Sequence, residues 1–303
     1  MTVTIYGRTY LDAEVTIPLA TLAEGKGKVD VEVTAQLGGF ACNAARAIGN
    51  RLLEGSVRVV TVCSELDLPR LRVRIPSVMA LDAIVDTTDP TAWPPISVII
   101  NPAGECRLLR GRGEEDAAQW TLDRVAPDAL ASGFHILGRV PLPFVGELLA
   151  SRPSSARIAW CGGDSISEEL EREMDIACVN VAEAQRLLGT STTNSRVLAH
   201  ALVRRAARSG AVRLVTGRGS EPAVAARLIG DSVTSYGASS PPAKLPPSEI
   251  RRFKGVGDVF AARFLFEAFV DPKGEPRAEV AIERALTMAG EAATAFITAR
   301  EPP

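Results

Sequence analysis

The sequence predicts an α/β protein: a layer sandwich on a mostly parallel sheet, with a smaller β-rich insertion near the N-terminus. Three observations predict it. From Phe134 onward, short strand-like runs alternate with helical patterns, the signature of parallel strands joined by crossover helices. Two β-like segments follow the first strand and are separated by the polar, glycine-bearing Glu24-Gly25-Lys26-Gly27-Lys28, a hairpin tip. The 303 residues suffice to bury about three quarters of the unfolded surface in one core.

Taken in order, Val3 to Tyr6 reads as a buried strand ending at Gly7, and Ala13–Ile17 and Val29–Ala35 as the insertion's strands. Gly38-Gly39 then opens a helical pattern with Ala41, Ala44, Ile48 and Leu52 on one face. Val57 to Val62 is β-branched and reads as a buried strand. Ser64 to Pro95 is less regular. Ile96–Asn101 and Cys106–Arg110 flank Pro102-Ala103-Gly104-Glu105, a β-hairpin. Strands are expected at 134–137, 157–160, 176–179 and 212–216, with helices at 142–150, 167–174, 182–188 and 197–209. Ala223–Ile229 and Ser232–Tyr236 are strand-like, a proline-rich loop follows, and helices over 259–269 and 278–298 close the chain. No repeat, low-complexity tract or linker interrupts it. A single domain over 1–303 is expected, with lid elements at about 12–36 and 96–112.

Composition excludes several classes. Lys plus Arg number 34 against 36 Asp plus Glu, a net charge of −2, so no basic surplus exists to engage nucleic acid or an anionic membrane. No run of about 20 apolar residues would span a bilayer. The N-terminus lacks the basic-then-apolar pattern of a signal peptide, and a cytoplasmic location is expected. The five cysteines are scattered and never spaced C-x-x-C, which favours reduced thiols over disulfides or a cysteine-rich zinc site. Both histidines, His135 and His200, sit in apolar surroundings and read as core or helix-face residues. The P-loop, the dinucleotide G-x-G-x-x-G and the G-x-S-x-G elbow are all absent.

One segment carries chemistry by itself. Gly255-Val256-Gly257-Asp258 precedes the apolar helix VFAARFLFEAF. Two glycines let N–H groups converge on an anion at a helix N-terminus, whose partial positive charge favours it. An aspartate in that first turn is placed to deprotonate a hydroxyl during phosphoryl transfer. The alternative is a plain glycine loop with Asp258 as an ordinary first-turn residue.

That segment has company. Gly38-Gly39-Phe40-Ala41-Cys42-Asn43 resembles the N-terminal signature of the PfkB, or ribokinase-like, carbohydrate kinases, and Gly255-Val256-Gly257-Asp258 resembles their C-terminal signature. Val179-Asn180-Val181-Ala182-Glu183 resembles their N-x-x-E motif. Leu214-Val215-Thr216-Gly217-Arg218-Gly219 resembles their nucleotide turn, and Ile5-Tyr6-Gly7 followed by Asp12 their opening strand. The hairpin at 96–110 looks like their second lid element. The pieces occur in family order across roughly 3–300.

The resemblance implies a ribokinase-like three-layer α/β/α sandwich and an ATP- and Mg²⁺-dependent kinase acting on a hydroxymethyl group of a small sugar-like substrate. It implies Asp258 as base and Gly255, Val256 and Gly257 as the anion hole. Asp12, Gly38, Gly39, Asn43 and Arg139 would meet the substrate. Asn180, Thr216, Gly217, Gly219 and Lys254 would meet the nucleotide. Asn180 and Glu183 would serve the metal through water. Plainer readings stand beside these: Asp12 as a turn residue, Asn43 as a helix-face polar group, Asn180 with Glu183 as a capping box, Arg139 as a surface arginine at a strand end and Lys254 as a solvent-facing side chain. A monomer and a homodimer paired through the lid are both compatible. A nucleoside kinase, or a catalytically weak sugar- or nucleotide-binding relative, are the alternatives.

Three departures mark this chain. Arg252-Phe253-Lys254 replaces the family's Asp-Thr-Thr-like run, which leaves a monovalent cation doubtful. The V-G-x-D-x-x-G helix after Val62 is missing. Gly138-Arg139 stands where ribokinases often carry a glutamate, and an arginine there suits an acidic or phosphorylated sugar.

Overall fold

The computed structural model describes residues 3–16, 32–49, 54–63, 65, 68–85, 96–100, 107–110, 119–162, 166–217, 222–238, 245, 254–270 and 281–299. Its strands are, in chain order, β1 (Val3–Gly7), β2 (Tyr10–Thr16), β3 (Glu32–Gly38), β4 (Val57–Cys63), β5 (Ala80–Val85), β6 (Ile96–Ile100) and β7 (Arg107–Arg110). Then come β8 (Phe134–Gly138), β9 (Arg157–Cys161), β10 (Ile176–Asn180), β11 (Val212–Thr216), β12 (Ala223–Ile229) and β13 (Ser232–Ala238). The helices are α1 (Phe40–Ile48), α2 (Leu68–Arg74), α3 (Pro127–Leu130), α4 (Leu142–Ser151), α5 (Glu168–Glu173), α6 (Val181–Leu188), α7 (Ser195–Arg204), α8 (Val256–Phe269) and α9 (Ile282–Thr298).

Nine strands form one sheet in the order β13-β12-β11-β10-β9-β8-β1-β4-β5. Every pairing from β11 to β5 is parallel, while β12 and β13 continue antiparallel at one edge. Side chains alternate across the pleat, so Val3 and Ile5 face one side and Thr4 and Tyr6 the other, all fully buried. On the first side they join Ala41 and Ile48 of α1, Phe264 and Leu265 of α8, and Ala285 and Ala289 of α9. On the second, Tyr6, Leu137 and Trp160 pack against Phe144 and Leu148 of α4, and Val179 and Val215 against Leu198 and Leu202 of α7. Helices therefore cover both faces, which is why the central strands are mostly apolar, with buried polar residues such as Thr4, His135 and Arg213 hydrogen-bonded inside.

A second sheet has the order β3-β2-β6-β7. It joins the two segments expected near 12–36 and 96–112: β2 lies antiparallel to β3 and parallel to β6, and β6 antiparallel to β7. The expected hairpin tip at 24–28 and the loop at 102–105 lie outside the described residues, as do 163–165 and 218–221.

The stretch 64–95 holds more order than its sequence indicates. It contributes α2 and the edge strand β5, parallel to β4. Only Leu71 of α2 is buried, and β5 is half-exposed with Asp82 in its middle, so neither element carries a strong apolar period.

Along the sheet the chain passes from β1 outward to β4 and β5, then returns to β8 on the other side of β1 and proceeds to β11. The order reverses between β1 and β8. In open parallel sheets such a reversal leaves a crevice outside the carboxyl ends of the strands, where ligands bind.

Candidate active site

The crevice holds a cavity of about 180 Å³. Its floor follows the carboxyl ends of four adjacent strands: Arg139 after β8, Cys161 and Gly162 at β9, Asn180 at β10 and Thr216 at β11. Three helix N-termini border it, with Gly39, Phe40 and Asn43 at α1, Glu183 at α6, and Lys254, Gly255, Gly257 and Asp258 at α8.

Phe40 fixes the start of α1. Its ring lies over Gly138, where an added Cβ would fall 2.1 Å from the ring, and over Gly7, where the gap would be 3.0 Å. Two glycines at the ends of paired strands thus let α1 settle onto the switch point. Asn43, one turn into α1, is 5% exposed, and its Nδ2 donates to Asp258 Oδ2 at 2.9 Å.

Gly255 caps α8 with φ 85°, a left-handed conformation that glycine adopts without strain. A Cβ there would come 2.6 Å from Asn43 Nδ2. The first bond of the helix runs from Val259 N to Gly255 O at 2.9 Å, so the amides of Val256, Gly257 and Asp258 precede the helical ladder. The helix starts three residues earlier than its apolar pattern indicates, because the glycine cap sets its start. Asp258 still falls in the first turn, half-buried. A Cβ on Gly257 would meet nothing within 4 Å.

Asn180 and Glu183 form a complete capping box on α6. Glu183 N donates to Asn180 Oδ1, and Asn180 N to Glu183 Oε2, both at 2.9 Å. The capping reading therefore holds, and both residues also line the cavity. Among the described residues no group of three His, Cys, Asp or Glu side chains could hold a metal ion. A magnesium ion at Asn180 and Glu183 would keep most of its water, which fits an ion that dehydrates reluctantly.

Two cysteines were not expected here. Cys161 and Cys178 are register partners on β9 and β10, and both line the cavity. Burial pushes the Cys161 thiol well above its usual range, with the adjacent Cys178 adding to the effect. Their separation in sequence hides the pairing; only strand register reveals it.

The remaining expected site residues are placed as follows. Gly38 ends β3 just before the cavity begins. Val256 turns its side chain toward the core and offers only its backbone. Gly217 follows β11 outside the lining residues. Asp12 lies in β2 of the second sheet, opposite Gln36 and Ser97 in register, and its side chain lies outside the described residues. Gly219, Arg252 and Phe253 lie outside them too. Arg139 stands at the cavity with φ 56°, the one non-glycine residue with positive φ among those described.

No family model matches the chain, and no curated protein matches it. Solved structures do. The chain is 15% identical to ribokinase from Thermotoga maritima, with a TM-score of 0.73 over 99% of this chain and 94% of that one. It is 12% identical to adenosine kinase from Schistosoma mansoni in complex with 2-fluoroadenosine, with a TM-score of 0.75 over 98% and 95%. A pyrophosphate-dependent kinase in the ribokinase family, complexed with a pyrophosphate analog and myo-inositol, is 15% identical, with a TM-score of 0.61 over 100% and 97%. At these identities the likeness shows the fold: the chain has the ribokinase fold.

Proposed function

We propose that this protein is an ATP-dependent kinase that phosphorylates a hydroxymethyl group of a small sugar or sugar-like substrate. The observation that carries the reading is the position of Asp258. Its carboxylate sits in the first turn of α8, beside amides that precede the helical ladder, in the cavity bordered by Gly39 and Asn43. A sugar hydroxyl has a high pKa and needs a carboxylate at hand to take its proton. Phosphoryl transfer is otherwise a matter of placement and charge compensation.

Asp258 accepts the hydroxyl proton as the acceptor oxygen bonds to phosphorus and the bond to the leaving diphosphate breaks. The N-terminal amides of α8 compensate the charge on the transferred group. Thr216 and Asn180, at the ends of β11 and β10, hold the nucleotide end, and Gly257 leaves open space next to the amides. When bound, ATP supplies the phosphoryl group and Mg²⁺ supplies positive charge. Glu183, which borders the cavity, would hold such a metal through its water. A nucleoside acceptor is less well served. Phe40 is the one aromatic residue lining the cavity among those described, and its ring is spent on Gly7 and Gly138.

The test is ADP release from ATP against a panel of sugars, sugar acids and nucleosides, with Asp258→Asn as control. Turnover of a hydroxymethyl-bearing sugar, falling about 10²- to 10⁴-fold in the variant, supports the reading. Turnover unchanged in Asp258→Asn rejects the base. Ligand binding by calorimetry without turnover on any acceptor rejects the kinase and favours a binding protein.

A further inference from the structure

Building on the kinase reading, we infer that the acceptor carries an anionic group, a carboxylate or a phosphate, and that Arg139 selects it. Three observations converge. Arg139 is held at φ 56°, where an L side chain is strained and glycine is not. The preceding position cannot carry a side chain, because Phe40 fills the space above Gly138. Arg139 is thus the first residue after β8 able to place a side chain at the cavity, and it borders it.

Its guanidinium is uncommitted. Among the described residues Arg139 makes no side-chain hydrogen bond or ion pair, and it is exposed. The two cavity carboxylates do not hold it, since Asp258 accepts from Asn43 and Glu183 from the Asn180 backbone. A planar fork of donors at a cavity of about 180 Å³ matches a carboxylate or phosphate two bonds at a time.

Position assigns the fork to the acceptor. β8 adjoins β1 at the switch point, under the start of α1 that brings Asn43. Thr216, on β11, lies three strands away, on the order of 14 Å across the sheet. Arg139 therefore stands at the end of the cavity remote from the nucleotide turn.

The experiment compares matched probes: D-gluconate with D-glucitol, and D-fructose 6-phosphate with D-fructose. Binding is measured by calorimetry without donor, and kcat/KM with ATP, for the native protein, Arg139→Lys and Arg139→Gly. The native protein should favour an anionic member about tenfold to a hundredfold, the scale of hydrogen bonds to a charged group. Which pair shows the preference identifies carboxylate or phosphate. Arg139→Gly should erase the preference while keeping or raising the melting temperature, because glycine relaxes the left-handed backbone. Arg139→Lys should retain part of it. A preference that survives in Arg139→Gly overturns the inference, as does a native protein that binds neither anion or both members equally. A rise in KM for ATP with acceptor preference intact also overturns it, by assigning Arg139 to the donor. Anion-selective binding lost in Arg139→Gly, with no turnover on any probe, upholds the anionic ligand and removes the kinase reading instead.

Discussion

Asn43 and Asp258, 215 residues apart in sequence, meet through one hydrogen bond: Nδ2 of the amide donates to Oδ2 of the carboxylate at 2.9 Å. The bond ties the first turn of α1 to the first turn of α8 at the cavity. It fixes the carboxylate's rotation and keeps it hydrogen-bonded on one side. Asn43→Ala should lower kcat about tenfold or more, because the carboxylate loses a positioned donor. Asn43→Asp should cost more and act differently. Two carboxylates at hydrogen-bond distance cannot both ionise easily, so one titrates higher. The acidic limb of the kcat/KM profile should move to higher pH in both variants, and further in Asn43→Asp, where a like charge is added to the lost donor.

The two glycines of the α8 turn separate structure from chemistry. Gly255→Ala strains a left-handed backbone and drives a Cβ to 2.6 Å from Asn43 Nδ2, so the Asn43–Asp258 bond must shift. It should lower the melting temperature by several degrees, equivalent to about 1–2 kcal/mol, and reduce kcat. Gly257→Ala meets no atom within 4 Å and sits in helical backbone, so stability should hold or rise slightly. Its methyl points into open space beside the helix amides, and KM for ATP should rise. Thermal melts and steady-state kinetics on both variants check the contrast.

Local pattern made much of the fold legible. The strand and helix alternation after Phe134 was readable because parallel strands buried on both faces are mostly apolar. The glycine turn before α8 was readable because a left-handed cap packed against a neighbouring side chain calls for glycine. Long-range register was not readable. Nothing in the sequence pairs Cys161 with Cys178, or says that Asn43 reaches Asp258. The edge strand β5 was hidden because a half-exposed strand with Asp82 at its centre has neither an apolar run nor clean alternation. The left-handed backbone at Arg139 has no sequence signal, since arginine does not favour it.

Glu183 has two roles that substitution can separate. Its carboxylate accepts from the Asn180 amide, closing the capping box, and it also borders the cavity. Glu183→Gln keeps an acceptor for that amide and removes the charge. It should melt within a degree or two of the native protein and need a higher Mg²⁺ concentration for half-maximal rate. Glu183→Ala loses both and should also be destabilised by about 1 kcal/mol. If Glu183→Gln shows an unchanged Mg²⁺ requirement, Glu183 is a helix cap alone.

His135 sets a pH dependence of stability apart from the cavity. It lies in the second core, fully buried on β8, with Nδ1 3.3 Å from Tyr6 Oη, while Nε2 has no hydrogen-bond partner. Its pKa is lowered to about 4, chiefly by burial, with a backbone hydrogen bond at Ser132 opposing the shift and the Arg152 charge adding to it. The unfolded chain, with a histidine pKa near 6.5, therefore binds more protons than the folded one between pH 6.5 and 4. Stability rises with pH across that window: the full contribution is present above about pH 6.5, and up to about 3 kcal/mol is lost as pH falls to 4. Urea midpoints measured from pH 7.5 to 4.5 should fall steeply in the native protein. His135→Asn, which keeps an acceptor for Tyr6 but cannot protonate in this range, should start lower from lost packing and fall less. Parallel curves for the two proteins would show that another group carries the acid sensitivity.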